Sequence, residues 1–306
     1  MIVIGECIHV ISASVKKAIE TRDKDFIQGL AKEQAAKGAG MIDLNVGPRK
    51  KDGGEVMPWI VNAVQEATDV PLSLDTTNAG TMEAGLKVCK KPPLVNSTDA
   101  TESRLSAIMP LAAKYNASII ALTLAETGLP TTADARIELA MERIMPAAEA
   151  NGVPMENIYF DPLVMTINGN QDQALETINA IRFFKQLSDP PPKTTCGLSN
   201  VSNTCPAEIR PLLNRVFLVM MAGAGLYSAI ADPLDADLME TIRILQNRDD
   251  STPKGKLYLA LHDAYEAGEQ FDTSNVDVSN PDLRDIARTV DALQNKWIYA
   301  HSYLNI

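Results

Sequence analysis

Six apolar runs in this chain end in a carboxylate or an amide. Asp43 and Asn45 close "MIDLN", Asp75 closes "PLSLD", Asn96 closes "PLVN", Asp161 closes "IYFD", Glu6 follows "IVIG", and Ser199 and Asn200 follow "TTCGL". A single polar residue in such a place commonly caps the helix that comes next. So many of one chemical kind, none beside a Lys or Arg, suggest a shared surface instead. An Asp accepts paired N–H groups, whereas an Asn both donates and accepts. Together they suit a neutral, nitrogen-rich ring. A phosphate would need a nest of Gly amides or clustered cations, and these strand ends have neither.

These runs need a scaffold that brings their ends together. Short stretches rich in Ile, Val and Leu alternate with segments of helical period, the rhythm of parallel strands joined by crossover helices. The expected strands are Ile2 to Ile4, Met41 to Asn45, Val70 to Asp75, Leu94 to Asn96, Ser118 to Leu124, Ile158 to Asp161, Thr194 to Leu198 and Leu226 to Ile230. Between two of them, Ile137, Ala140, Met141 and Ile144 follow an i, i+3, i+4, i+7 pattern. Eight such units predict an α/β fold, a (β/α)8 TIM barrel with a C-terminal helical extension. An open doubly wound sheet would carry a G-x-G-x-x-G turn after its first strand, and "GECIHVISASVKK" has none. The expected division is a barrel over 1–247 and an extension over 248–306. In the extension, Asp272 to Pro281 reads as a loop and "DLRDIARTVDALQNKWIYA" as a final amphipathic helix, either capping the barrel or serving a homodimer.

In a barrel of this kind the functional groups stand at the C-terminal ends of the strands, on one open face. The polar ends above therefore converge, and the ring they suit is of the pterin or purine kind, with a pterin expected. Net charge of −11 and the absence of any basic stripe with aromatics argue against nucleic acid. Cys7, Cys89, Cys196 and Cys205 form no CxxC pair, so neither a disulfide framework nor a zinc site is expected. With only His9, His262 and His301 as histidines, no protein-bound metal is expected either. Apolar runs such as "FLVMMAGAGL" are too short to span a membrane, and "MIVIGE" does not read as a leader, so a cytoplasmic protein is expected.

The motifs "IGE", "DLNVGP", "LDTTN", "NSTDA", "LTLAETGLP", "DPL", "GLSNVSN", "RPLLNRVFL" and "SAIADP", in that order, are together similar to the tetrahydrofolate-dependent corrinoid methyltransferases. This pterin-binding family includes the acetogens' methyltetrahydrofolate to corrinoid/iron-sulfur protein methyltransferase and the folate domain of cobalamin-dependent methionine synthase. The resemblance covers about the first 245 residues and leaves the tail outside it. It implies that Asp75, Asn96 and Asp161 hold the amino-pyrimidine edge of the pterin and that Asn200 lies beside N5. Gly197, Ser199, Asn203 and Arg210 follow as supporting contacts. Tetrahydrofolate or 5-methyltetrahydrofolate would be the substrate, and a separate corrinoid protein would present the cobalt. Glu6, His9, Asp43 and Asn45 are left as rim groups or supports behind the ligands.

The chain departs from the family in two places. It reads "GECIH" where the family often reads "GERIN", so Cys7 and His9 replace an Arg and an Asn. The loop "SNTCPAEIR" also looks longer than in the acetogen relatives, which puts the reach of Arg210 in question. Two alternatives compete with this reading. Dihydropteroate synthase would need an anion site and a basic group near the last strand, where "YSAIADP" has none. A non-catalytic folate carrier would keep the pyrimidine clamp and have no need of Asn200.

Overall fold

The computed structural model describes residues 1–305. Eight parallel strands run in the order β7-β6-β5-β4-β3-β2-β1-β8: β1 Ile2–His9, β2 Met41–Asn45, β3 Leu72–Asp75, β4 Leu94–Asp99, β5 Ser118–Leu122, β6 Ile158–Asp161, β7 Lys193–Thr194 and β8 Ser228–Ala231. The ring closes past the short β7. Gly197 pairs with Ile230, Ile230 N donates to the Cys196 carbonyl at 2.8 Å, and Thr194 Oγ1 accepts from Tyr227 N at 3.1 Å. The sheet is therefore the barrel that the strand rhythm predicts.

Apart from their polar C-terminal ends and the short β7, its strands are mainly apolar because helices cover the outside while side chains fill the inside. Ile4, Leu94, Ile120 and Tyr159 pack together within the ring, with Met41, Leu122 and Ile230 against them. Several helices begin where a side chain satisfies a free N–H group. Asp23 accepts from Phe26 N, Asn78 from Thr81 N, Asp235 from Leu238 N and Thr252 from Gly255 N.

Several boundaries differ from expectation for identifiable reasons. β1 continues to His9 because a bulge between Gly5 and Ile8 absorbs one residue against β2. β4 does the same between Val95 and Thr98, and so reaches Asp99. β7 stops at Thr194 because the chain enters a 3-10 turn over Leu198–Ser202. The apolar face expected over Ile137 to Ile144 is broken by a π turn at Ala140–Ile144. Ala140 and Ile144 stay buried, and the widened turn leaves Met141 55% exposed.

The tail consists of helices Pro253–Glu266 and Pro281–Leu293, with a 3-10 turn at Thr273–Asn275 between them. The last helix is shorter than its amphipathic pattern. Asn295 takes the left-handed conformation at φ 57°, and Lys296 N closes back on the Asp291 carbonyl. Leu257, Leu261, Tyr265, Ile286, Val290 and Leu293 share one apolar cluster with Phe217, Leu218 and Met221 of the helix Arg210–Gly223. Among the described residues no helix is long and apolar enough to cross a membrane.

Contact between the tail and that helix is close at Gly223. A Cβ there would lie 2.3 Å from the His262 carbonyl and 2.8 Å from Tyr265 Cβ. Gly223→Ala should therefore force the helices apart and lower stability by about 1–3 kcal/mol, as overpacking does. Urea unfolding should record it as one cooperative transition shifted to lower denaturant. An unshifted midpoint would mean that the tail does not pack this closely.

Candidate functional site

The strand ends meet in a cavity of about 610 Å³ at the C-terminal mouth of the barrel, a size that suits a small organic ligand. Glu6, His9, Asp43, Asn45, Asp75, Asn96, Ser199, Asn200 and Asn203 all line it. The bulges help to place them. Glu6 and Cys7 sit at the irregularity in β1, and Asn96 at the one in β4, where the pleat is broken and side chains can be re-aimed toward the mouth.

Two pairs organise the floor. Asn45 Nδ2 donates to Asp75 Oδ2 at 2.5 Å, and Asn45 Oδ1 accepts from Gly47 N at 3.0 Å. Asn45 is thus locked at both ends and leaves the other oxygen of Asp75 to the cavity. Asp43, 4% exposed, accepts from Ser73 Oγ at 2.6 Å and from Asn96 Nδ2 at 3.1 Å. That contact fixes the Asn96 amide, so its carbonyl oxygen is the free acceptor. Asp43 and Asn45 therefore orient Asn96 and Asp75 from behind.

The third wall is the turn after β7. Asn200 N donates to the Gly197 carbonyl at 3.3 Å, and Asn203 Nδ2 donates to Asn200 Oδ1 at 3.2 Å. This leaves the Asn200 amide N–H groups unclaimed. Gly197 is needed for space: a Cβ on it would stand 2.9 Å from Asn200 Nδ2.

Three of the residues singled out from sequence do not line the cavity. Asp161 is 5% exposed at the end of β6, and its Oδ1 accepts from Leu163 N at 2.7 Å as the chain turns through the left-handed φ of 65° at Leu163. Gly197 lies beneath Asn200. Arg210, at the start of its helix, donates from Nε to the Cys205 carbonyl at 2.7 Å and ties down the loop. Asp232, by contrast, lines the cavity and is not among the residues singled out from sequence, although it directly follows β8 as Glu6 and Ser199 follow their apolar runs. It accepts from Cys7 Sγ at 3.2 Å and from Leu234 N at 2.8 Å. Ile11, 86% exposed, and Ser12 complete the rim beside His9.

No Lys or Arg lines the cavity, and the electrostatics follow from that. Burial raises Glu6 to about 7, with Asp232 and Asp43 adding repulsion and a hydrogen bond from Ser199 opposing both. Burial likewise lifts Asp161 to about 7, against the Leu163 N–H and the nearby Arg136. Asp43 and Asp75 are both pushed up by burial, and Asp75 further by the charge of Asp43. Burial, the bond to Asp232 and nearby negative charge push the Cys7 thiol up, so it is a weak nucleophile.

Elsewhere, His262, Asp263 and Glu266 bring ligand-type atoms within 4.8 Å of one another, although the sequence predicts no metal group. Asp263 there is held by both arms of Arg248, at 2.6 Å each. The cluster lies on a tail helix and lines no part of the barrel mouth.

Residues 12–232 match the family described as "Pterin binding enzyme". The methylcorrinoid:tetrahydrofolate methyltransferase of Eubacterium limosum is 33% identical over 244 residues, covering 79% of this chain and 89% of that protein. The methionine synthase of Mycobacterium tuberculosis is 34% identical over 241 residues, covering 75% of this chain but only 20% of that much longer protein. Among solved structures, dihydropteroate synthase from Thermus thermophilus in complex with 6HMPPP aligns with a TM-score of 0.56 at 18% identity, over 80% of this chain and 93% of that one. That likeness is one of fold.

The raised carboxyls set a pH dependence. In the folded chain Glu6 and Asp161 keep their protons to about pH 7, whereas unfolded carboxyls release theirs near pH 4. Between those values the folded state holds more protons, so the stability of the ligand-free protein should fall as pH rises and level off above about 7. The Glu6 part is on the order of 3 kcal/mol. Denaturant midpoints for Glu6→Gln should show a shallower fall over this range, and a slope equal to that of wild type would contradict the assignment.

Proposed function

The chain belongs to the pterin-binding enzyme family, and from that premise we propose that it is a methyltransferase moving a methyl group between the cobalt of a corrinoid and N5 of tetrahydrofolate. One observation carries the reading: the mouth joins an Asp and Asn clamp to the free amide of Asn200, with no cation among its lining residues. Asp75 and Asn96 offer acceptors to the amino-pyrimidine edge, and the resemblance would add Asp161, which is buried at the end of β6 outside the cavity lining. A buried pterin restores to these carboxylates the N–H partners that burial denies them.

Toward tetrahydrofolate, the N5 lone pair attacks the methyl carbon. The N5–C bond forms, the Co–C bond breaks with its electron pair left on cobalt, and N5 then releases its proton. Glu6, held to about 7 in the same cavity, is a base of matching strength for that proton. The Asn200 amide adapts to the changing charge on N5 by adjusting one hydrogen bond, whereas a fixed cation would repel the protonated amine. The reverse direction uses the same groups, so one site serves either demethylation or acetyl-CoA synthesis.

The likeness to a protein named for both methylcorrinoid and tetrahydrofolate supports this reading. The cavity has no corrin-sized enclosure, so we infer that a separate corrinoid protein docks at the rim, near His9 and the exposed Ile11. Residues 1–247 would then be the folate-binding barrel and 248–306 its helical extension. We also read the protein as a cytoplasmic homodimer. Exposed Met141 and Phe183, in one surface groove, offer apolar area for that contact, whereas the tail's apolar face is covered by its own barrel. A dihydropteroate synthase reading would put a pyrophosphate beside Glu6 and Asp232, which carry the wrong charge for it.

Two measurements separate clamp from chemistry. Asp75→Ala should weaken tetrahydrofolate binding about tenfold or more, because a pterin N–H left unpaired costs about 1–3 kcal/mol. Calorimetry that finds wild-type affinity would remove Asp75 from the clamp. Asn200→Ala should instead lower the single-turnover rate about 10²-fold to 10³-fold, with folate affinity changed far less. A rate within about threefold of wild type at saturating folate would refute the role of this amide.

A further inference from the structure

Asn200 stands on a short 3-10 turn beyond the end of β7, outside the regular sheet, so its position depends on what grips the turn. The segment 162–172 grips it from one side. Ile167 N donates to the Val201 carbonyl at 2.8 Å, Thr166 Oγ1 donates to the Asn203 carbonyl, and Asn168 Nδ2 donates to Thr204 Oγ1 at 3.0 Å.

That segment is itself anchored at its far end by one side chain. Gln171 Nε2 donates to the carbonyls of Ala292 at 2.7 Å and Trp297 at 2.6 Å, while Gln171 Oε1 accepts from Tyr299 N at 2.7 Å. Both amide hydrogens and one acceptor position are thereby used on backbone groups of the C-terminal tail. The tail segment is stiff for a second reason. Tyr303, 1% exposed, bonds Thr289 at 2.8 Å, and its ring lies 5.8 Å from Trp297 and 5.6 Å from Tyr299. Tyr303 shares an apolar cluster with Ile167, Val201 and Cys205, the residues that back the turn.

We propose that residues 292–303 brace the Asn200 turn through Gln171, which makes the tail part of the catalytic unit and Gln171 a positioning residue. This rests on the role given to Asn200 above. Asp75 on β3 and Asn96 on β4 are held by Asn45 and Asp43 of β2, and none of these bonds involves the brace. Loss of the brace should therefore slow transfer while leaving folate binding nearly intact. A shift of the order of 1 Å in a reacting group can cost about 10²-fold in rate.

The test uses the full chain with Gln171→Ala and with Gln171→Met, the second keeping side-chain volume while removing all three bonds and guarding against a packing defect in the first. Hydrogen exchange of the 162–172 and 197–205 backbone should accelerate in both variants. Single-turnover methyl transfer should fall at least about tenfold, with the folate dissociation constant within about threefold of wild type. Unchanged exchange at 197–205 would overturn the brace, as would faster exchange with an unchanged rate, or rate and affinity falling by equal factors. If wild type itself transfers no methyl group, the functional reading fails. In that case the exchange data still decide whether Gln171 holds the turn.

Discussion

The constraint on which the rest of this structure depends is the burial of several carboxyl groups around one barrel mouth that no cation lines. Glu6, Asp43 and Asp75, which line the mouth, and Asp161, buried at the end of β6, are all held above the ordinary carboxylate range, chiefly by loss of water. A fold tolerates this only where the surroundings are rigid and hydrogen bonds replace part of the lost hydration. Asn45, Ser73, Asn96 and the Leu163 N–H do so here, each giving a donor to one carboxyl oxygen. Acceptor capacity is left over in the mouth, and a ligand rich in N–H groups would satisfy it. The destabilised apo site and the selective holo site are thus two aspects of one arrangement.

The same constraint explains why the amide of Asn200 arrives on a turn instead of a strand. A strand residue is fixed by its ladder, as Asp43, Asp75 and Asp161 are on β2, β3 and β6, and buried carboxyls need that fixity because their charges repel. An amide has no net charge to restrain. It can sit on a 3-10 turn, oriented by Asn203 and given room by Gly197. The consequence is a seam in the barrel. Between β7 and β8 the ladder thins to a single bridge, supplemented by Thr194 and the Cys196 carbonyl, so the wall bearing Asn200 is the one that most needs outside support.

Much of this is legible in the sequence, for a reason that particular residues make plain. An apolar run that stops at Asp or Asn declares both a buried strand and a polar end, so β2, β3 and β6 and the residues Asp43, Asn45, Asp75 and Asp161 can be read directly. Bulges leave no such mark. The extra residue in β1 and in β4 follows from register against β2 and β5, and register is a long-range property. Asp232 follows the strand-end rule too, but with the eighth strand expected to stop at Ile230 it falls two residues past the expected end, whereas β8 runs on to Ala231. The π turn at Ala140 keeps the expected helix but rotates Met141 outward, which periodicity alone cannot foresee. Nor can spacing reveal that Gln171 reaches a tail more than a hundred residues away, since one glutamine in a loop is ordinary.

The tail shows how far similarity and cooperativity can part. The family match ends at residue 232, yet the apolar cluster that begins with Val3 runs on through Leu261, Val290 and Tyr303 without a break. A boundary drawn by resemblance would fall before the helix Ala236–Asn247, and one drawn by composition would fall just after it, at the charged "NRDDS". Packing supports neither as a place where the chain could be cut. The helix Arg210–Gly223 has the barrel on one side, where Met221 meets Cys196, and the two tail helices on the other, so removing the tail would expose Val216, Val219 and Met220, which share the face of Gly223, to water. Burial of such side chains is worth roughly 1.5–3 kcal/mol each, against a total stability for a domain of about 5–15 kcal/mol. By that comparison the added segment contributes a large share of the stability of the barrel it covers, and its bonds to Gln171 follow from where the last helix ends.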